Sequence, residues 1–233
     1  MRVPTPLAGR GGACLRVRDK MTPNPITVPP TAPVAEALRT MQGRKIRRLP
    51  VMQHGRLVGI VTLLDLMRVS ASPATTLSIY ELRYLLDKLT VQEAMTRQVI
   101  TISPDAPIEQ AALLMREHKI GGLPVVQDDT LVGIITETDI FDALVDLLGV
   151  RKPGQRLEVD CEDRPGSLAR IASIFASHGL NILSVVSTPA PPGQAHLVFR
   201  IQGEGAEAAR LALEQEGCRV TLGPHGPNER SAA

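Results

Sequence analysis

The run LVGIVTLLDL at Leu57–Leu66 returns at Leu131–Ile140 as LVGIITETDI, and no other feature of the chain limits its fold so sharply. Set side by side without a gap, Val17–Leu66 and Val91–Ile140 agree at 22 of 50 positions. Self-similarity of that depth means one supersecondary unit built twice, neither copy large enough to bury its apolar faces alone. In each copy an apolar run fit for a buried strand ends at a hydroxyl, Thr62 or Thr136, and a carboxylate follows three residues on, Asp65 or Asp139. A strand that hands over to a helix there leaves the Thr at the helix start, where unpaired N–H groups and the dipole favour an anion. The Asp, one turn along, is placed to accept hydrogen bonds from a vicinal diol. Phosphate beside ribose suits that pairing; the alternative is a Thr N-cap with an Asp complementing the dipole.

Both copies follow one order. Each opens with Met-Thr (Met21-Thr22, Met95-Thr96), then a short predicted strand, Pro25 to Val28 or Val99 to Ile102, then a proline-bearing helix entry. Apolar residues at i, i+3, i+4 and i+7 then mark an amphipathic helix: Val34, Ala37, Leu38 and Met41 in the first copy, Ile108, Ala111, Ala112 and Met115 in the second. Lys-Ile-x-x-Leu-Pro-Val, a polar turn and the LVGI run complete a hairpin that leads to a second helix. Between the copies, Ser78-Ile79-Tyr80-Glu81 has the form of a capping box and predicts a linker helix over about 78–88, preceded by a loop from Ser70 to Thr76.

The two copies resemble cystathionine-beta-synthase (CBS) domains through the Gly-Ile-(Val/Ile)-Thr-x-x-Asp ending present in both, and the tandem resembles the CBS pair, or Bateman module, over residues 17 to about 142. The resemblance implies an adenosine nucleotide of AMP, ADP or ATP type in the cleft between the repeats, with Mg2+ accompanying a polyphosphate. It implies that Asp65 and Asp139 hold ribose hydroxyls, that Thr62 and Thr136 meet phosphate or ribose, and that Ile26, Thr27, Ile46, Ile100, Thr101 and Ile120 flank the base.

The repeats differ where charge matters. GRKIRRLPV in the first carries Arg47 and Arg48; HKIGGLPV in the second has Gly121 and Gly122 in their place. Guanidinium groups bind phosphate through paired, charge-assisted hydrogen bonds, so the cleft served by Arg47 and Arg48 is expected to prefer the more phosphorylated nucleotide. The plainer alternative is a solvated basic face.

From residue 156 the pattern changes. Leu157, Val159 and Cys161 alternate with polar neighbours as in a half-buried strand; Asp163-Arg164-Pro165-Gly166 turns into a helix striped by Leu168, Ile171, Ala172 and Phe175 and closed near Gly179. Strands over Ile182–Ser187 and around Ala195–Ile201, an Ala-rich helix over about 205–216 and a strand from Cys218 to Leu222 give βαββαβ, the ferredoxin-like arrangement. The unit resembles ACT domains in its Asp-Arg-Pro-Gly-Ser-Leu turn and its Gly-Leu-Asn-Ile stretch. That likeness implies side-by-side pairing and an amino-acid ligand at Asp163, Pro165, Gly166, Leu168, Asn181 and Ile182. The Gly166 turn offers N–H groups for a carboxylate and Asn181 an amide; alternatively, both motifs are only the entrance and exit of one helix.

Bulk composition excludes several classes. A net charge of +2 from 26 basic and 24 acidic side chains, with 2% aromatic residues and no Trp, argues against nucleic acid. Cys14, Cys161 and Cys218 form neither a disulfide framework nor a metal motif and suggest a reducing, cytoplasmic setting; Cys161 reads as a core residue. No apolar run approaches the length of a membrane span. The expected organisation is a flexible leader over 1–16, CBS domain 1 over 17–70, a linker with a helix over 71–90, CBS domain 2 over 91–148, a linker over 149–155, an ACT domain over 156–223 and a flexible tail over 224–233. The fold class is thus α/β (α+β), a CBS pair followed by an ACT domain. The whole resembles the acetoin-utilisation B-like CBS-ACT family, which implies a non-catalytic regulator, a homodimer, that reports nucleotide, with an amino acid as a second ligand, to a regulated enzyme. No hydrolase, P-loop, zinc or cysteine motif opposes that reading, and the five histidines are scattered. A scaffold with vestigial sites and a nucleotide-processing enzyme are the alternatives.

Overall fold

A computed structural model describes residues 15–71 and 88–223, so all but the last residue of the predicted linker helix, most of the leader and the tail lie outside the described residues, as does most of the loop at 70–76. The chain divides into two compact units, Met1–Ile140 and Phe141–Ala233.

In the first unit the elements run α1 (Val17–Lys20), β1 (Thr22–Pro23), α2 (Val34–Arg44), β2 (Arg48–Gln53), β3 (Arg56–Thr62), α3 (Leu63–Ala71), α4 (Val91–Ala94), α5 (Ile108–His118), β4 (Gly122–Gln127) and β5 (Thr130–Thr136), and α6 (Glu137–Leu147) starts there. β2 and β3 form one antiparallel hairpin, and β4 and β5 the other. Both turn on two residues with positive φ, His54 (51°) and Gly55 (76°), and Asp128 (47°) and Asp129 (60°). That backbone carries the twist two-residue hairpin loops require. The predicted helix stripes are the buried faces: Val34, Ala37 and Met41 in α2, and Ile108, Ala111 and Met115 in α5.

The opening segment of each repeat belongs structurally to the other repeat. β1 pairs with β5, Thr22 opposite Ile134 and Pro23 opposite Gly133. Thr96 answers by exchanging two backbone hydrogen bonds with Ile60, at 3.0 and 2.9 Å. Val17 donates to the Ala106 carbonyl and Val91 to that of Ala32, while Arg16 and Arg18 both pair with Asp105. Val91 is therefore part of the core formed by Val34, Met41, Leu49, Val51, Val61 and Leu66. The exchange explains the glycine inside LVGI. A Cβ on Gly59 would lie 2.5 Å from the Met95 sulfur, and one on Gly133 2.5 Å from the Met21 sulfur. Met-Thr and LVGI are the two halves of one contact, made twice.

The strands expected over Pro25–Val28 and Val99–Ile102 shrink to single parallel bridges, Val28 to Val51 and Ile102 to Val125. Pro25, Pro29 and Pro30 have no N–H to extend the first ladder, and Pro104 stops the second.

The second unit has β6 (Gln155–Glu162), α7 (Ser167–Ser177), β7 (Asn181–Thr188), β8 (Gln194–Gln202), α8 (Ala206–Gln215) and β9 (Arg219–Leu222). Its antiparallel sheet has the order β7-β8-β6-β9, the expected βαββαβ topology. The alternating residues Leu157, Val159, Leu197, Phe199 and Ile201 meet Ile171, Phe175, Ala209 and Leu213 of the two helices in one core, with Cys161 packed at its edge. Phe175 and Phe199 meet edge to face, centroids 5.0 Å apart. Leu168 departs from the predicted stripe: it is 47% exposed, and Ser167 is buried in its place with its hydroxyl donating to the Glu162 carbonyl at 2.8 Å.

Candidate functional site

The reciprocal exchange brings the start of one repeat against the strand–helix junction of the other, and a cavity forms at each of the two places. The larger, about 340 Å³, takes Thr22, Asn24, Pro25, Ile26, Lys45, Ile46, Arg47 and Arg48 from the first repeat and Ile134, Thr136, Thr138 and Asp139 from the second. The smaller, about 210 Å³, takes Thr96, Gln98, Val99, Ile100, Lys119, Ile120, Gly121, Gly122 and Pro124 from the second and Arg48, Ile60 and Thr62 from the first.

Each Thr–Asp pair closes on itself as it caps its helix. Asp139 Oδ2 accepts the Thr136 backbone N–H at 2.7 Å and the Thr136 hydroxyl at 2.8 Å. Asp65 Oδ2 accepts the same two groups of Thr62 at 2.9 and 2.6 Å, and the Asp65 N–H donates to the Thr62 hydroxyl at 3.2 Å. Capping and ligand binding are therefore compatible uses of the same residues. One carboxylate oxygen locks the helix start, which fixes the side chain, and Oδ1 remains to accept from a ligand. Asp139, half-buried, borders the larger cavity, whereas Asp65 is not among the residues lining the smaller one.

Three cations, Lys45, Arg47 and Arg48, also line the larger cavity. Lys45 ends α2 with φ 54°, a left-handed conformation unusual for a residue with a side chain, and so turns the chain into the Ile46–Arg48 segment along the cavity wall. Lys119 repeats that geometry at the end of α5. Arg48 is half-buried: burial pushes its guanidinium below its ordinary pKa and the Arg47 charge adds to this, with Glu137 and Asp139 opposing. The guanidinium lies over the backbone of Gly121 and Gly122, where built Cβ atoms would be 2.6 and 2.8 Å from its nitrogens. Arg48 consequently borders both cavities, and Arg47 only the larger.

Of the residues anticipated from sequence, Ile26, Ile46, Arg47, Arg48, Thr136 and Asp139 meet at the larger cavity and Thr62, Ile100, Ile120 and Arg48 at the smaller. Thr27 lines neither, and Thr101 lines a separate recess with Arg56 and Arg97. At the larger cavity, sequence reasoning did not assign Thr22, Asn24, Pro25, Lys45, Ile134 or Thr138. The repeated Met-Thr and Lys-Ile pairs were the signal for Thr22 and Lys45; nothing in the sequence marked Asn24 or Thr138.

In the second unit Gly166 caps α7 with φ 92°, and a Cβ there would meet nothing within 4 Å. Asn181 is exposed at the start of β7. A recess at Asp160, Cys161, Glu162, Gly193, Gln194, Gly217 and Arg219 includes none of the anticipated ligand residues Asp163, Pro165, Gly166, Leu168, Asn181 and Ile182. Among the described residues no cluster of His, Cys, Asp and Glu could hold a metal ion, and no helix is long and apolar enough to cross a membrane.

Family models for the CBS domain match residues 17–72 and 91–146, and that for the ACT domain matches 155–217. A Vibrio cholerae chain provisionally assigned to acetoin utilization (AcuB) is similar in structure, with TM-score 0.50 and 32% identity over 59% of this chain and 96% of that one. The CBS domain pair of protein MJ0100, solved with 5'-methylthioadenosine and S-adenosyl-L-methionine, is 33% identical over 56% of this chain and 96% of that chain, with TM-score 0.49. A CBS domain-containing protein of Dictyostelium discoideum is 31% identical over 134 residues, 57% of this chain and 92% of its own length. Of longer curated relatives the chain spans less: 22% of L-aspartate semialdehyde sulfurtransferase from Methanocaldococcus jannaschii, at 35% identity over 126 residues and 53% of this chain.

Proposed function

The chain belongs to the CBS-domain family, as a tandem pair of CBS domains followed by an ACT domain, and on that premise we propose that it is a non-catalytic regulator whose larger cavity binds an adenine nucleotide. The observation that carries the reading is that one cavity combines a fixed acid with three cations. Asp139 is held by Thr136 with Oδ1 available for a ribose diol, and Lys45, Arg47 and Arg48 line the same cavity with positive charge for phosphate. Ile26, Ile46 and Ile134 supply apolar lining for a base. A second or third phosphate would extend among those cations and carry Mg2+ with it. Binding signals only through differential affinity for two states of the protein, which a homodimer would transmit to a partner enzyme.

For the ACT unit the reading is an amino acid whose carboxylate meets the Gly166 turn, supported by the open space above that turn. Calorimetric titration of the full chain with adenosine, AMP, ADP and ATP tests the nucleotide reading. Affinity should rise with phosphate number and fall in Asp139→Ala. Ligand recovered chemically unchanged is expected of a regulator, and steady turnover to a lower phosphate would replace it with an enzyme.

A further inference from the structure

The pseudo-symmetry of the repeats is broken at one place, and there a side chain of the first repeat occupies what the second leaves empty. Gly121 and Gly122 stand where the first repeat has Arg47 and Arg48, so nothing projects from them toward the larger cavity. On the other side the Arg48 guanidinium rests on those two glycines, within the lining of the smaller cavity, and the two volumes differ accordingly, about 210 against 340 Å³.

We propose that Arg48 is a built-in occupant of the smaller cavity and that a phosphate bound in the larger one draws it out, so that the second adenosine-type ligand enters only after the first. The inference rests on the nucleotide reading of the larger cavity. Its geometric basis is that Arg48 lines both spaces while its guanidinium, set over Gly121 and Gly122, can lie in only one. Its energetic basis is the side chain's incomplete satisfaction at rest. Arg48 is half-buried beside Arg47, and its opposing charges, Glu137 and Asp139, are side chains at the start of α6 rather than a tightly bonded carboxylate. A phosphate offers a bidentate acceptor with more charge than either, on the side of the cavity where Lys45 and Arg47 already stand. A ligand without phosphate offers no such pull. Adenosine should therefore fill the larger cavity and leave the smaller closed, whereas AMP should open it.

The test is stoichiometry on the full chain, by calorimetry with adenosine and with AMP. Wild type should bind one equivalent of adenosine and two of AMP, and Arg48→Ala, with the plug removed, two of adenosine. Arg48→Met keeps a side chain of similar length over the glycines without charge and should bind one equivalent of either ligand, which preserves the test if Arg48→Ala fails to fold. Two equivalents of adenosine on wild type, or one on folded Arg48→Ala, would overturn the role of Arg48 and leave the larger site standing. Absence of binding by both ligands to all three proteins would overturn the nucleotide reading and this inference with it.

Discussion

Substituting Gly59 by Ala tests whether the opening segment of the second repeat is bound into the first. The added methyl would lie 2.5 Å from the Met95 sulfur, 3.1 Å from Met95 Cγ and 3.1 Å from the Thr96 carbonyl oxygen. Non-bonded heavy atoms settle at about 3.5–4.0 Å, so the thioether must withdraw by about 1 Å. Met95 is flexible and half-buried and can yield part of that distance. The Thr96 carbonyl cannot, because it accepts the Ile60 N–H at 3.0 Å in the bridge that joins the segments. Overpacking of this kind costs about 1–3 kcal/mol. Met95→Ala alone should also destabilise, but in the double variant the new methyl fills space the thioether has left. The two effects should then fall short of additivity by about 1–2 kcal/mol. Urea unfolding of the four proteins measures the cycle, provided the slope with denaturant is unchanged. A Gly59→Ala variant as stable as wild type, or strict additivity with Met95→Ala, would refute the exchanged packing.

Phe175 is fully buried and meets Phe199 edge to face, so Phe175→Ala should destabilise the second unit by about 3–5 kcal/mol in chemical denaturation, with Leu168→Ala, at an exposed site, costing far less. The Asp160 carboxyl is held below its usual range, first by the hydrogen bond with His196 and then by Arg219. A lowered folded-state value stabilises above the ordinary carboxylate range and is lost as pH falls through it. Asp160→Asn should therefore be less stable than wild type at neutral pH, with the difference shrinking as the carboxylate is protonated in acid, as read from urea midpoints across the acid range. Thr62→Val, which removes a hydroxyl from the start of α3 but leaves the larger cavity intact, should cost about 0.5–2 kcal/mol of stability with no change in affinity there.

Much of this was legible because local chemistry repeats. The 3.6-residue stripes of α2 and α5, the alternation of β6 and β8, and the Thr-x-x-Asp junctions each declare an element in a few residues, and the structure places the elements accordingly. What stayed hidden was long-range. No local pattern in Met21-Thr22 or Met95-Thr96 says that each pairs with the strand of the other copy; only the glycine in each LVGI run, read as a site of close approach, hints at it. The position of Arg48 was equally unreadable. Its neighbour in sequence, Arg47, borders one cavity, while strand geometry sends Arg48 across two glycines to border both. Asn24 and Thr138 reach the larger cavity because of the exchange itself, so no single-repeat pattern could nominate them.

The most direct measurement of the central claim is a crystal structure of the full chain with AMP. The account predicts the nucleotide in the cavity between the 22–26 and 45–48 segments and the start of α6, its ribose hydroxyls on Asp139 Oδ1 and its phosphate toward Lys45, Arg47 and Arg48. A larger cavity empty of nucleotide, or nucleotide bound there with Asp139 contacting only Thr136, would contradict it.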